Sequence, residues 1–315
     1  MQIRPFGFSE ADYRAYATVR GAAHPEAPLD MAQLQHTDRS RAPGDVLERF
    51  LIEQAGGVVG VLEFSTPYYD PRPGALEVRY HLCPEAQSLQ DTLWAFLLER
   101  LAPHTPRELW AQVREDWPEY RFWVARGFTE VERRWESELD LAAFDPAPFI
   151  RPLPPGIALR PLSELPWQEE GFQQALYALE TDLLLDVPSA EPITLWPFEV
   201  WQARTLNDPN LLPEGYFLAL ADQQLVGVSM LFQSNRPQTL RTGLTGVLQS
   251  HRRKGIALAL KLRALEFARG YGARYIRTSN HQANRPMLAL NEALGFVKEP
   301  AAVLLRLSPV PQRPG

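Results

Sequence analysis

The chain carries the same short patterns twice, in the same order. Ile3-Arg4-Pro5-Phe6 is matched by Leu159-Arg160-Pro161-Leu162, 156 residues on. Val58-Val59-Gly60-Val61 is matched by Leu225-Val226-Gly227-Val228 at a displacement of 167, and Arg126-Gly127-Phe128 by Leu294-Gly295-Phe296 at 168. Three matches at nearly one offset in a chain of 315 residues imply duplication of a single folding unit. The sequence between the halves fits a junction. Pro146, Pro148, Pro152, Pro154 and Pro155 stiffen it, because proline fixes φ and donates no hydrogen bond. The expected division is residues 1–147, a proline-rich linker over 148–155, a second domain over 156–310, and a short tail over 311–315.

Each half alternates strand-like and helix-like stretches. In the second, residues 216–220 and 225–231 flank Ala221-Asp222-Gln223-Gln224, a hairpin pattern, and Leu240–Leu248 is a further strand. Residues 255–269 lack proline and are rich in Ala, Leu, Lys and Arg, which predicts a helix that Gly270 and Gly272 end. Ala273–Thr278 returns to strand, and Asn284-Arg285-Pro286 opens another helix, with Pro286 suited to its first turn. Ala302–Leu307 reads as a last strand. The order is α/β with several antiparallel strands.

Composition narrows the function classes. Formal charge is −6, a poor match to nucleic acid or anionic lipid. One cysteine, Cys83, excludes an internal disulfide and a thiolate zinc cluster, and no metal is expected. Cys83 lies beside Pro84 without an evident histidine partner, so it is not read as a nucleophile. No signal peptide or apolar run of membrane-spanning length is recognised, so a cytoplasmic protein without membrane partners is expected.

The chemistry concentrates at Val247-Leu248-Gln249-Ser250-His251-Arg252-Arg253-Lys254-Gly255-Ile256-Ala257. A strand ends, a basic turn follows, and a helix opens at a glycine. Between Arg252 and Arg269 six Lys/Arg face one acid, Glu266, in an otherwise acidic protein. A helix N-terminus presents unpaired N–H groups and a partial positive charge, and glycine lets an anion approach the backbone. The turn reads as a seat for a pyrophosphate, with a solvated basic loop as the other reading.

The run Arg252 to Ala257 is similar to the Q/R-x-x-G-x-G/A acetyl-CoA signature of the GNAT acetyltransferase superfamily. Leu258 to Lys261, Thr278-Ser279-Asn280 and the stretch from Asn284 to Phe296 extend that resemblance over about residues 215–310. The resemblance implies two tandem GNAT-like domains, each a mixed, mostly antiparallel sheet flanked by helices. It implies acetyl-CoA as co-substrate and transfer of acetyl to an amine, small-molecule or peptide, by direct attack in a ternary complex. It further implies that the strand before the signature bulges and splays from its neighbour, so that Val247, Leu248 and Gln249 meet the pantetheine arm. Arg252, Arg253, Lys254, Gly255, Ile256 and Ala257 would then wrap the pyrophosphate, with Asn280 and Asn284 near the pantetheine. Asn284 reads equally as a helix N-cap, and Asn280 as a turn former.

Many members of the superfamily carry a tyrosine where this chain has Asn291. An amide can donate a hydrogen bond to a departing thiolate but cannot give it a proton at useful cost. Asp182 and Asp186, in the acidic run Glu180 to Glu191, are candidate bases or amine ligands, with solvated loop charges as the other reading. A non-catalytic acyl-CoA or metabolite-binding regulator is the alternative function. The first half has lost the signature. At an offset of 165, Gln87, Ser88, Leu89 and Gln90 stand against Arg252 to Gly255, and Asp91 against Ile256. At 168, Asp116 stands against Asn284 and Trp123 against Asn291. That half is expected to keep the fold without holding acetyl-CoA, its Trp110, Trp117, Phe122, Trp123 and Trp135 serving packing.

Overall fold

A computed structural model describes residues 1–68, 72–188 and 192–311. The chain separates into two compact units, Met1–Arg133 with Pro300–Gly315, and Arg134–Glu299. The first unit runs β1 (Gln2–Pro5), α1 (Glu10–Ala23), α2 (Met31–Arg39), β2 (Leu47–Gln54), β3 (Gly57–Ser65), β4 (Ala75–Leu82), α3 (Gln90–Leu101), β5 (Glu108–Arg114) and α4 (Pro118–Ala125), and it includes the start of β6 (Thr129–Asp140). Strands β1 to β5 lie side by side in chain order. All neighbours are antiparallel except β4 and β5, whose parallel pairing covers only Ala75–Glu77 against Glu108–Trp110. Ser9 caps α1 by accepting the Asp12 N–H at 3.2 Å, and the helix then buries Tyr13, Tyr16 and Val19 on one face. Those residues pack with Leu51, Val61 and Cys83.

The second unit starts with the end of β6 and continues through β7 (Ile157–Pro161), α5 (Glu170–Leu185), α6 (Phe198–Trp201), β8 (Phe217–Ala221), β9 (Gln224–Gln233), β10 (Thr239–Val247), α7 (Ile256–Gly270), β11 (Tyr275–His281), α8 (Arg285–Ala293) and β12 (Val297–Lys298). Its sheet order is β7-β8-β9-β10-β11-β6. Alternation along β9 divides the interior into two layers. Leu231 faces α7 with Leu240, Ile276, Leu260 and Ala264. Val228 and Met230 face α5 and α6 with Leu179, Leu183 and Trp201. Each such fully buried aliphatic side chain contributes about 1.5–3 kcal/mol of transfer free energy.

The units do not divide where composition suggests. The last strand, β13 (Ala302–Leu307), pairs antiparallel with β5 along Leu109–Arg114, in the first unit. The end of β6 conversely pairs with every residue of β11, from Tyr275↔Asp140 to His281↔Arg134. The expected cut of 1–147 and 156–310 therefore misplaces one strand in each direction. Proline content marks the connector, but a strand's partner is fixed by pairing over long separations, which composition does not report. The packing roles expected of Trp110, Phe122 and Trp123 hold, all three being buried, whereas Trp117 and Trp135 are half-buried.

Candidate active site

In the second unit β10 does two unusual things. Its pairing with β9 slips between Thr242 and Thr245, a β-bulge. Its parallel pairing with β11 covers Thr239–Arg241 only, while β11 continues against β6. From Thr242 onward the two strands diverge, with a Thr242 Oγ1 to Thr278 Oγ1 hydrogen bond of 2.8 Å closing the apex. The bulged half of β10 lies tightly on α5: a Cβ at Gly246 would stand 3.1 Å from the Leu183 side chain.

Backbone groups alternate between the two edges of a strand. The Leu248 N–H donates to the Val226 carbonyl at 2.9 Å, so it is directed at β9. Of the three residues expected to meet a pantetheine arm, Leu248 thus turns its N–H to β9 and Val247 belongs to the opposite edge. Gln249 lies past the end of β10 in a 3₁₀ turn, its carbonyl accepting the Arg252 N–H. The Val247 carbonyl accepts from Arg252 Nε at 2.9 Å.

The basic turn then lifts the chain into α7. Arg253 and Gly255 both occupy the left-handed region, at φ 60° and 79°. This reversal is available to glycine without strain, and nothing lies within 4 Å of the Cβ position at Gly255. The first intrahelical bond runs from the Ala259 N–H to the Gly255 carbonyl, so the N–H groups of the opening turn precede any intrahelical acceptor. Lys254 Nζ donates to the Ser250 carbonyl at 3.2 Å, and Lys254 and Arg253 are exposed. Ile256 is buried in the α7 layer and Ala257 is half-buried beside it. The helix starts at Ile256, with Gly255 as its cap residue.

On the other side of the divergence, Asn284 caps α8 by accepting the Met287 N–H at 3.4 Å. Asn280 Oδ1, at the end of β11, accepts from Asn291 Nδ2 at 2.6 Å. Asn291 is only 2% exposed, and its Oδ1 has no hydrogen-bond partner among the described residues. A buried acceptor in that condition is costly unless a donor arrives.

The acids of α5 separate into three situations. Asp182 is exposed. Asp186, at the C-terminal cap of α5, forms an ion pair with Arg252 Nη2, so it touches the basic turn rather than standing apart as a base. Glu180, which the sequence did not distinguish from its neighbours, is buried and accepts from Trp201 Nε1 at 2.8 Å and from the Tyr216 hydroxyl. Burial pushes its carboxyl up to about 7. The indole and phenol that hold it come from 21 and 36 residues away, which no local pattern announces. Glu191 lies outside the described residues. Lys261, on α7, is buried with its ammonium 5.2 Å from the Phe296 ring centroid, and burial lowers it to about 8.

Residues 175–296 match the acetyltransferase (GNAT) family profile. No curated protein matches the chain in sequence. Among solved structures the chain is similar to a tandem GNAT protein from the clavulanic acid biosynthesis pathway, at TM-score 0.78 and 20% identity over 99% of each chain. It is also similar to a GCN5-related N-acetyltransferase from Sphaerobacter thermophilus, at TM-score 0.70 and 18% identity over 99% of this chain and 97% of that one. A GNAT-family acetyltransferase from Colwellia psychrerythraea aligns at TM-score 0.63 and 14% identity over 97% and 99%. No helix among the described residues is long and apolar enough to cross a membrane. The chain thus has the fold of tandem GNAT proteins, and its second unit carries a GNAT acetyltransferase-family domain.

Proposed function

We propose that the second unit is an acetyl-CoA-dependent N-acetyltransferase, acting on the amine of a small molecule or peptide. The observation that carries this reading is the sequence of bulge, divergence and helix mouth: β10 leaves β11 after Arg241 and delivers the chain to a cationic, left-handed turn. The residues fit the co-substrate. The edge of β10 at Val247, with Gln249 in the turn just past it, offers main-chain N–H groups to an amide-bearing arm. Arg252, Arg253, Lys254 and the opening N–H groups of α7 suit a pyrophosphate, and open space at Gly255 leaves room for it. The unpartnered Oδ1 of Asn291 suits an N–H donor in the same gap.

When bound, the thioester supplies the activated acyl group. The chain's own part is to place it and to manage a proton. Asp182 is free of the basic turn and remains the candidate to attract an ammonium or take its proton. Asp186 serves instead as counter-charge to Arg252. Asn291 donates to Asn280 and can orient a neighbouring group, but it cannot act as an acid at neutral pH. The departing thiolate, with an ordinary pKa near about 8.5, tolerates release without a dedicated acid.

Asn291 also favours the second reading, a binding protein that holds an acyl-CoA without turnover. Steady release of free CoA from acetyl-CoA in the presence of an amine panel is the expected result and separates the two. Saturable binding of acetyl-CoA with no CoA release from any amine would establish the regulator instead. In this reading the first unit does not hold acetyl-CoA.

A further inference from the structure

The first unit diverges as the second does, since β4 and β5 pair over three residues and then part. The region is filled by side chains from three elements. His24 caps the end of α1, His81 lies on β4, and Glu119 opens α4. All three are at least 96% buried. His24 Nε2 and Glu119 Oε1 are 2.7 Å apart, and His81 Nδ1 and Glu119 Oε1 are 3.2 Å apart. The three ligand atoms lie within 4.8 Å of one another. Glu119 Oε2 is buried with no hydrogen-bond partner among the described residues. His24 is 95 residues from Glu119 and His81 is 38, so no motif spacing brings them to notice.

We propose that His24, His81 and Glu119 form a binding site for one divalent transition-metal ion of the zinc or cobalt class. Two imidazoles and one carboxylate are a donor set for such an ion, and three protein ligands leave a further position for water. The ion would join α1, β4 and α4 where the sheet itself does not, and would satisfy the orphaned carboxylate oxygen.

Arg20 sets the limit on affinity. Its Nη1 stands 3.3 Å from His81 Nδ1 and 3.0 Å from Nε2. Near-equal distances to both ring nitrogens place the guanidinium over the ring face, not in line with either lone pair. Its Cζ also lies over Trp117, 4.4 Å from the ring centroid. Arg20 therefore leaves the in-plane nitrogens available, yet its charge opposes a cation's. A structural hydrogen-bond cluster and a metal site consequently respond in opposite ways when that charge is removed.

The test uses the full chain after chelator treatment, titrated with Co²⁺ and followed by visible absorption, with Zn²⁺ as competitor. Wild type is expected to take up one Co²⁺ per chain with ligand-field bands that Zn²⁺ abolishes. His81→Ala should weaken that binding by more than about tenfold. Arg20→Gln, which keeps all three ligands, should tighten it several-fold and raise the zinc-induced shift in thermal midpoint. Absence of stoichiometric Co²⁺ binding in wild type overturns the proposal. So does binding unchanged in His81→Ala, or, where that variant does not fold, unchanged or weaker binding in Arg20→Gln.

Discussion

Gln87 and Arg252 perform the same task for the backbone in the two units and differ in what else they bring. Gln87 Nε2 donates to the Leu82 carbonyl at 3.0 Å, and Arg252 Nε donates to the Val247 carbonyl at 2.9 Å. Leu82 and Val247 end equivalent strands, and the offset of 165 aligns both pairs. The carbonyl exposed where the strand turns toward its helix thus needs a side-chain donor in either unit. Only arginine keeps charged nitrogens to spare. The surroundings diverge likewise. Strand β4 pairs with β3 in unbroken register, whereas β10 is bulged. Where the second unit opens α7 from a left-handed glycine, the first passes from a 3₁₀ turn over Pro84–Leu89 directly into α3. Trp123 and Asn291 occupy matching helix positions and are each 2% exposed, one as an aromatic in the core and the other as an amide facing an amide. The two units share strand and helix positions, and the proposed anion seat depends on a few side chains laid over them.

The harshest way to break the comparison is to cut the chain as its composition suggests. A fragment spanning 156–310 lacks the stretch of β6 that pairs with all seven residues of β11 and carries β13 without β5. A fragment spanning 134–299 keeps the ladder intact. We expect cooperative thermal unfolding, read by circular dichroism, from the second fragment alone. Equal transitions in both would show that the exchanged strands contribute little.

Next in size is Gly255→Glu. A side chain at φ 79° costs roughly 1–2 kcal/mol, and the carboxylate enters the space proposed for phosphate. CoA affinity should fall by about a hundredfold or more in calorimetry, while the thermal midpoint drops by only about 3–8 °C. The matching residue of the first unit, Gln90, should tolerate glutamate with no effect on CoA. Arg252→Gln, which copies Gln87, sharpens the same point. It retains a donor for the Val247 carbonyl and removes the charge, so affinity should drop by about 10-fold while stability holds. Arg252→Ala should lose both. Equal stability of the two variants would mean that the carbonyl bond is dispensable.

Local chemistry was legible in the sequence. The hairpin of β8 and β9, the glycine at the mouth of α7 and the asparagine cap of α8 follow from signals within a few residues of each other. What escaped are features made by distant partners: β13 crossing to β5, Asp186 reaching Arg252 across 66 residues, and Glu180 held by Trp201 and Tyr216. An acid in a run of acids carries no mark of which one the fold will bury. The inward face of Leu176, Leu179 and Leu183 on α5 does place Glu180 beside them at helical spacing, and that is the one signal that could have singled it out.

The two units also contrast in how they keep a glutamate buried. In the second, burial alone dominates and pushes Glu180 up to about 7. In the first, burial likewise pushes Glu63 up, but Arg49 and Arg79 outweigh it and hold the carboxyl at about 2. The signs of the stability effects are opposite. Folding takes up a proton at Glu180, so its contribution is full below about 4.5, the ordinary value, and is lost as pH rises through about 7. Folding releases one at Glu63, so its contribution is present above about 4.5 and lost as pH falls toward 2. Glu180→Gln should therefore gain stability relative to wild type between pH 5 and 8, by about 1.4 kcal/mol for each pKa unit removed. Denaturant midpoints across that range provide the check, and parallel curves for the two proteins would place the Glu180 proton elsewhere.

The smallest expected effect concerns Asp186, which has no counterpart in the Gln87 turn. Its carboxylate pairs with Arg252, and the two side chains remain 48% and 40% exposed, so water and salt screen the pair. The pair can act in either of two directions. As a competitor, Asp186 occupies a guanidinium nitrogen that a pyrophosphate would use, and Asp186→Asn would tighten CoA binding by up to about threefold at low salt, a gain that fades as salt is added. As a brace, it holds Arg252 toward the turn, and the same substitution would weaken binding at every salt concentration. The Val247 carbonyl already fixes Arg252 through Nε, as the Leu82 carbonyl fixes Gln87 with no acid bonded to it among the described residues. A second anchor is therefore redundant, which favours the competitor and predicts the salt-dependent gain. Weakened binding in Asp186→Asn would instead make the acid part of the seat.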